Sequence, residues 1–214
     1  MGKLVLSYWP GRGVGEPIKY LLEYQGFDYE LKVQTGALWY SEKPTIDLDF
    51  PNLPYLVDGD VKISESFAIM KYLARKSKVL MPQTDKEILA CDIAEGAISD
   101  MRMGFFILMF NPNFETEKVK YAEESFPNKL KLVEKVLSKN TWIAGERLTF
   151  VDFVLYEVLD VHQMFLPGCL DKYENVKNYK LKFEALDGIA AYKKSDRFKA
   201  YPVTGGSARW GLKP

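Results

Sequence analysis

The chain has 214 residues, 47% of them hydrophobic, with Lys+Arg and Asp+Glu balanced at 29 each. That length suits one large domain or two small ones, with ample apolar side chain for a core. Zero net charge without a block of like charge argues against nucleic acid as a partner. The scattered Arg and Lys read as a solvated surface, and no apolar run reaches the ~18–20 residues that cross a bilayer.

Residues 3–8 (KLVLSY) read as a strand. Residues 14–25 read as a helix, with Pro17 in its first turn and Gly26 closing it. Residues 28–33 (DYELKV) alternate as a second strand, so the opening unit is βαβ with parallel pairing. Residues 34–48 read as irregular. YLV at 55–57 and VKI at 61–63 then flank Asp58-Gly59-Asp60, a hairpin signal. Ser64 is the expected cap of a helix over 65–77, which buries Phe67, Ile69, Met70 and Leu73. These elements make a small α/β domain over residues 1–80, followed by a linker at 79–83.

Residues 86–214 read as all-helical. Thr84 and Glu87 form a capping box for a long helix running to about Phe110 and stopped by Pro112. A second helix is expected over about 115–138, interrupted at Pro127. A third opens at Thr149 and Asp152, spaced as a capping box, with Leu148 and Phe153 placed to staple it, and a fourth covers about 173–186. The tail, AYPVTGGSARWGLKP, matches no element.

Several chemistries are missing from the chain. Cys91 and Cys169 form no CxxC, and with His162 as the one histidine there is no usual zinc site, so no metal is expected. No GxSxG elbow accompanies His162, which reads as a satisfied core or interface histidine. The stretch from Gly11 to Gly15 (GRGVG) fails the dinucleotide spacing, because Glu16 stands where the third Gly belongs, and it reads as turn chemistry. Met1-Gly2 leads straight into the first strand without a charged leader, so a reduced, cytoplasmic protein is expected.

The order βαβ, X-Pro-strand, hairpin, helix is that of the thioredoxin-like fold, in which Pro54 would take the place of the cis proline. A cis Leu53-Pro54 bond would leave the N–H and C=O of Leu53 free for an extended peptide. Where thioredoxins carry CxxC, this chain has Tyr8-Trp9-Pro10-Gly11, which excludes disulfide redox chemistry there and puts a phenol in the thiol's place. With Tyr8-Trp9, DFPNLPYLVDGD at 49–60, TFVDF at 149–153 and Trp210-Gly211, the chain resembles the cytosolic glutathione S-transferases, most of all the mu class.

The resemblance implies a thioredoxin-like domain that binds glutathione, an all-helical domain that supplies an apolar substrate pocket, and a homodimer. It also implies conjugation of the glutathione thiolate to hydrophobic electrophiles in detoxification. Tyr8 would be catalytic, its protonated hydroxyl donating to the sulfur anion and lowering the thiol pKa. Glutathione would meet Tyr8, Trp9, Trp39, Lys43, Asn52, Leu53, Pro54, Glu65 and Ser66, and Asp100 from the partner subunit. Ser66 and the helix it opens would hold the γ-glutamyl carboxylate, and Glu65, where the mu class usually has Gln, the ammonium. Trp39 and Lys43 would face the glycyl end, although Gly36 stands where an Arg is expected and the loop before Trp39 is short. Trp9, Met103 and Phe110 would wall the substrate pocket, with Phe110 replacing a Tyr that assists certain additions in mu enzymes. Phe50 would be the aromatic key that inserts into the partner. Two rivals share the scaffold: a glutathione-dependent isomerase, and a non-catalytic carrier of apolar ligands.

Overall fold

The computed structural model describes residues 3–213. Four strands form one sheet in the order β2-β1-β3-β4 among the described residues. β1 (Leu4–Tyr8) pairs parallel with β2 (Tyr29–Val33) and antiparallel with β3 (Tyr55–Asp58), which pairs with β4 (Val61–Ser64) across the expected hairpin. Gly59 takes φ 61° at the tip, a conformation that the Asp-Gly turn supplies without steric cost. α1 (Glu16–Tyr24) makes the parallel crossover, and α3 (Ser66–Ser77) lies over β3 and β4. Leu6, Ile18, Leu21, Leu22, Leu56, Ile69 and Leu73, all fully buried, close the core between them.

The remaining elements are helices. α4 (Asp85–Met109) starts at the expected capping box, in which the Glu87 N–H donates to Thr84 Oγ1 (3.2 Å) and the Thr84 N–H to Glu87 Oε2 (3.2 Å). α7 (Phe150–Phe165) is the central, most apolar helix. At its start the buried Asp152 carboxylate accepts from the N–H groups of Thr149 and Ile143, both at 2.9 Å.

Four expectations are corrected and one helix is added. Residues 34–48 are not wholly irregular: α2 (Gly36–Glu42) starts at Thr35, whose Oγ1 accepts from the Leu38 N–H (3.2 Å). Seven residues are too few to show a period, and the buried Trp39 anchors them from outside the helix. Ser64 does not cap α3, because its hydroxyl donates to the Phe50 carbonyl (2.7 Å) and the capping position falls to Glu65. The second helix is divided into α5 (Phe114–Lys120), a π-helical turn at Tyr121–Ser125 and α6 (Phe126–Leu137). Pro127 sits in the first turn of α6, where its missing N–H costs nothing, so the break comes before it.

The fourth helix lies where it was expected, and a further helix that was not expected follows it. α8 (Glu174–Glu184) is followed by α9 (Asp187–Lys194), in which Gly188 looks like a breaker by sequence. A Cβ on Gly188 would stand 2.8 Å from the Tyr24 Cα and 2.9 Å from the Glu23 carbonyl oxygen, so this glycine lets α9 pack directly on α1. Finally, the basic residues are not all on a solvated surface. Arg12 is 1% exposed, and its guanidinium reaches Glu157 (Nε to Oε1 3.1 Å, Nη2 to Oε2 2.6 Å) and Asp160 (2.6 Å) on α7. The turn after β1 is thereby clamped to the helical half of the molecule.

Candidate active site

Tyr8 ends β1 inside the sheet, where the chain leaves the strand and turns back over the ring. The Val14 N–H donates to the Tyr8 hydroxyl oxygen (3.1 Å). Gly13 and Gly15 lie so close to the ring that a side chain at either would overlap it. Two of the three glycines of the GRGVG turn, Gly13 and Gly15, are therefore needed for close contact with the phenol. Burial raises the Tyr8 pKa above its ordinary value, opposed by the Val14 N–H and by Arg102, so the hydroxyl keeps its proton at neutral pH. An accepted hydrogen bond from Val14 leaves that proton free to be donated.

Beside the phenol lies a cavity of about 100 Å³. Its walls come from Val14 and Pro17, from Arg102, Phe105, Phe106 and Met109 on α4, from Val158, Val161 and His162 on α7, and from Val203 and Thr204 of the tail. The α4 residues recur at i, i+3, i+4 and i+7, one helix face, a signal readable in sequence. Met103 and Phe110, expected on sequence, lie one position round: Met103 is 56% exposed, and Phe110 packs on Phe106 with ring centroids 4.6 Å apart. No periodicity places the tail. Its backbone is stitched to the turn after β1 (Gly13 N–H to the Val203 carbonyl, 2.8 Å; Arg12 N–H to the Pro202 carbonyl, 3.0 Å) and to the end of α4 (Arg209 N–H to the Met109 carbonyl, 2.7 Å).

A polar rim runs along the sheet edge of the same site. Tyr8, Trp39, Leu53 and Tyr55 form one buried cluster, with Trp9 and Val14 packed against it. Trp39 stacks on Tyr55 (6.2 Å, 30°), and the exposed Lys43 holds its ammonium 5.9 Å from the Trp39 ring centre. The Leu53-Pro54 peptide is cis, and neither the N–H nor the C=O of Leu53 has a hydrogen-bond partner among the described residues. Glu65 stands at φ 71°, a left-handed conformation that costs a β-carbon-bearing residue about 1–3 kcal/mol. Its Oε1 accepts from the Asn52 amide (3.2 Å). No side chain caps α3, so its first N–H groups, with Ser66 at the first position, are available to an anion. Asp100 and Phe50 belong neither to that buried cluster nor to the cavity lining. Asp100 is exposed on α4 in a groove of about 780 Å³ between α4 and α6, and Phe50 is 75% exposed.

A profile of the glutathione S-transferase N-terminal domain matches residues 4–75, and one of the corresponding C-terminal domain matches residues 99–196. The chain is 44% identical to glutathione S-transferase Mu 1 of Homo sapiens, covering 98% of this chain and 99% of that protein. This chain belongs to the glutathione S-transferase family. It is also 44% identical to glutathione S-transferase Mu 5 of Rattus norvegicus, over 98% of this chain and 96% of that one. The crystal structure of the glutathione S-transferase Blo t 8 superposes with a TM-score of 0.89 at 32% identity, over 97% of this chain and 99% of that one. A Pi-class transferase of Onchocerca volvulus superposes at 0.86 with 28% identity, over 97% and 100%. As in the reading from sequence, the transferase has a thioredoxin-like sheet followed by helices.

In this transferase His162 is buried and has both ring nitrogens engaged: Nδ1 lies 2.6 Å from the Val158 carbonyl and Nε2 2.8 Å from the Tyr121 hydroxyl. Its ring stacks on Phe126 at 4.0 Å. Burial lowers its pKa to about 4, outweighing the Val158 hydrogen bond. Because the folded value lies below the unfolded value, the unfolded chain binds the extra proton as pH falls through that window, and His162 withdraws stability there. Against His162→Gln, the wild type is expected to lose up to about 1.4 kcal/mol more per pH unit on acidification from the ordinary histidine pKa to that value. Urea unfolding of both proteins across that range measures it; parallel pH curves exclude it.

Proposed function

We propose that this transferase joins the thiolate of glutathione to apolar electrophiles. The observation that carries the reading is the Tyr8 phenol: buried, protonated, accepting from Val14, with its own proton free at the mouth of an apolar cavity. A free thiol has a pKa of ~8.5 and is mostly protonated at neutral pH. A hydrogen bond from Tyr8 to the sulfur favours the anion, which is the nucleophile.

The rest of the tripeptide finds matching groups on the polar rim. The uncapped N-terminus of α3 with Ser66 suits the γ-glutamyl carboxylate, and Glu65 suits the ammonium beside it. The unpaired Leu53 backbone, reached past Asn52 and the cis Pro54, suits the cysteinyl unit, with Trp9 alongside. Trp39 and Lys43 suit the glycyl carboxylate. Residues 1–80 thus hold glutathione, while residues 86–214 supply most of the electrophile's pocket; of the expected walls, Trp9 packs on the Tyr8–Trp39 cluster, Met103 is exposed and Phe110 sits behind Phe106. The test is an ultraviolet titration of the wild type with bound glutathione, together with glutathione-dependent turnover of benzyl chloride. A depressed thiol pKa with turnover is expected. Bound glutathione with an unshifted thiol and no turnover would sink the proposal in favour of a ligand carrier.

Phe110 leads to a further expectation. It borders the pocket through Phe106 and carries no hydroxyl, so Phe110→Tyr is expected to raise the rate of styrene oxide opening by a few-fold to about tenfold, as one added hydrogen bond of about 1 kcal/mol allows. Equal rates for the two proteins would refute a role for this position.

The dimer belongs to the same reading. Phe50 projects beyond the fold, and the groove between α4 and α6 is lined by Ile93, Ala97, Met101, Leu132 and Val136. In a two-fold pair each Phe50 would enter the partner's groove, and Asp100 on its rim would reach the partner's glutathione. Phe50→Ala is expected to weaken the dimer by about 2–4 kcal/mol, a central aromatic anchor being worth that much. Sedimentation at a range of concentrations reads the shift; an unchanged dimer constant removes Phe50 from the interface. No helix among the described residues is long and apolar enough to cross a membrane, and both cysteines are free thiols. A cytoplasmic setting fits those thiols.

A further inference from the structure

Two side chains lining the cavity beside Tyr8 carry charge, Arg102 and Glu157. Glu157 is committed, since both of its oxygens accept from Arg12 (3.1 and 2.6 Å). Arg102 is not. Among the described residues it makes no ion pair and no side-chain hydrogen bond, and its guanidinium lies 5.2 Å from the Phe67 ring centre. A guanidinium has five N–H donors and no acceptor, so a half-buried one without partners leaves its hydrogen-bonding capacity to whatever enters the cavity. Phe105, Phe106, Met109, Val14, Val158 and Val161 around it are apolar, which strengthens an electrostatic contact made there.

We infer that Arg102 is a specificity-determining residue whose guanidinium receives the negative charge that moves onto an acceptor oxygen conjugated to the carbon under attack. The inference rests on the glutathione reading of Tyr8. For an enone the balance is simple. The thiolate lone pair forms a C–S bond to the β-carbon, the C=C π pair shifts to the bond between the α-carbon and the carbonyl carbon, and the carbonyl π pair becomes an enolate oxygen lone pair. That oxygen accepts from the Arg102 N–H groups, and water then returns a proton to the α-carbon. A benzylic halide develops no such oxygen: its C–Cl pair leaves as chloride. An arginine that only steadied the sulfur would speed both reactions equally, whereas one that meets the acceptor oxygen speeds the first alone.

The experiment uses two electrophiles built on one phenyl ring, benzylideneacetone and benzyl chloride, with wild type, Arg102→Met and Arg102→Lys. Loss of a fully buried oxyanion donor costs ~100–1000-fold, and half-exposure reduces that, so Arg102→Met is expected to lower kcat/KM for benzylideneacetone about 10–50-fold. Benzyl chloride should change less than about threefold, and Arg102→Lys, which keeps the charge but not the fork, should recover part of the enone rate. Equal losses on both substrates, or no loss on either, overturn the inference while leaving the transferase standing. A wild type that turns over neither substrate and holds glutathione with an unshifted thiol brings down the underlying reading as well. Should Arg102→Met not fold, Arg102→Gln with the same two substrates gives the same comparison.

Discussion

Replacing Tyr8 by Phe is expected to raise the thiol pKa of bound glutathione by about 1–2 units and to lower kcat/KM near neutral pH about 10–100-fold. A hydrogen bond to a charged group is worth about 1.5–3 kcal/mol, and each 1.4 kcal/mol is one pKa unit or one factor of ten. The substitution removes a single oxygen. The ring stays clamped by Gly13 and Gly15, so the proposed glutathione site keeps its shape. What is lost besides the donor is the acceptor for the Val14 N–H, a modest cost of about 1 kcal/mol or a little more in stability. The two effects separate by readout: thiolate absorbance against pH reports the donor, and urea unfolding reports the N–H. At a pH well above the variant's thiol pKa the thiolate forms unaided, and the rate gap should narrow. A Tyr8→Phe protein with the wild-type thiol pKa would remove Tyr8 from the chemistry, whatever its effect on rate.

Replacing Arg12 by Met should be the most costly single change to the fold. Arg12 is shielded from water, between Glu157 and Asp160, and it also reaches the Tyr20 hydroxyl (3.3 Å). A buried ion cluster is no strong source of stability as a whole, but removing one partner strands the opposite charges, at about 3–5 kcal/mol. At ~2–4 °C per kcal/mol for a protein of this size, Tm should fall by roughly 10–15 °C. The cost should depend on pH in a stated direction. Burial pushes Glu157 up to about 7 even with Arg12 present, while Asp160, despite its own burial, is held down at about 2 by Arg12, Lys193 and Lys180. Without Arg12 both carboxylates rise further. Protonated carboxylates tolerate burial, so the variant's deficit should be fullest at alkaline pH, shrink as pH falls through the variant's raised Glu157 value towards about 7, and shrink again in acid, where Asp160 protonates in the variant before it does in the wild type. Arg12→Met/Glu157→Gln, which removes one of the stranded charges, should recover part of the loss. A deficit under about 1 kcal/mol, flat with pH, would show the cluster to be hydrated and unimportant to the fold. The same clamp holds the turn that carries Gly13, Val14 and Gly15 over Tyr8, so the stability of the fold and the aim of the phenol are joined at one residue.

The βαβ unit, the hairpin and both capping boxes were legible because each is written in nearest-neighbour chemistry. Asp58-Gly59-Asp60 sets its own turn, Thr84 with Glu87 caps its own helix, and the apolar period of each segment declares its element. Other features were hidden because they depend on partners far along the chain. α2 persists through the burial of Trp39 against Tyr55, and α9 persists because Gly188 lets it lie on Tyr24. Ser64 looked like a cap and was taken by Phe50, fourteen residues back. Met103 on α4 and Phe110 at its end were selected, whereas the face turned to the cavity is Arg102, Phe105, Phe106 and Met109, one position away. A helix's own sequence says that it has an apolar stripe, but the rotation that aims the stripe is set by what packs on the other side.

By itself the sequence determined the elements with local signals, the family resemblance and the phenol at the end of β1 as the group to test. Only the tertiary structure decided that Arg12 is buried rather than solvated, that the tail closes the cavity over Tyr8, and that Arg102 stands in that cavity with no ion pair or side-chain hydrogen bond among the described residues. The division follows range. Turns, caps and periods are settled within a few residues, whereas the pairing of Arg12 with Glu157 spans 145 positions, and neither charge carries a local mark of its partner.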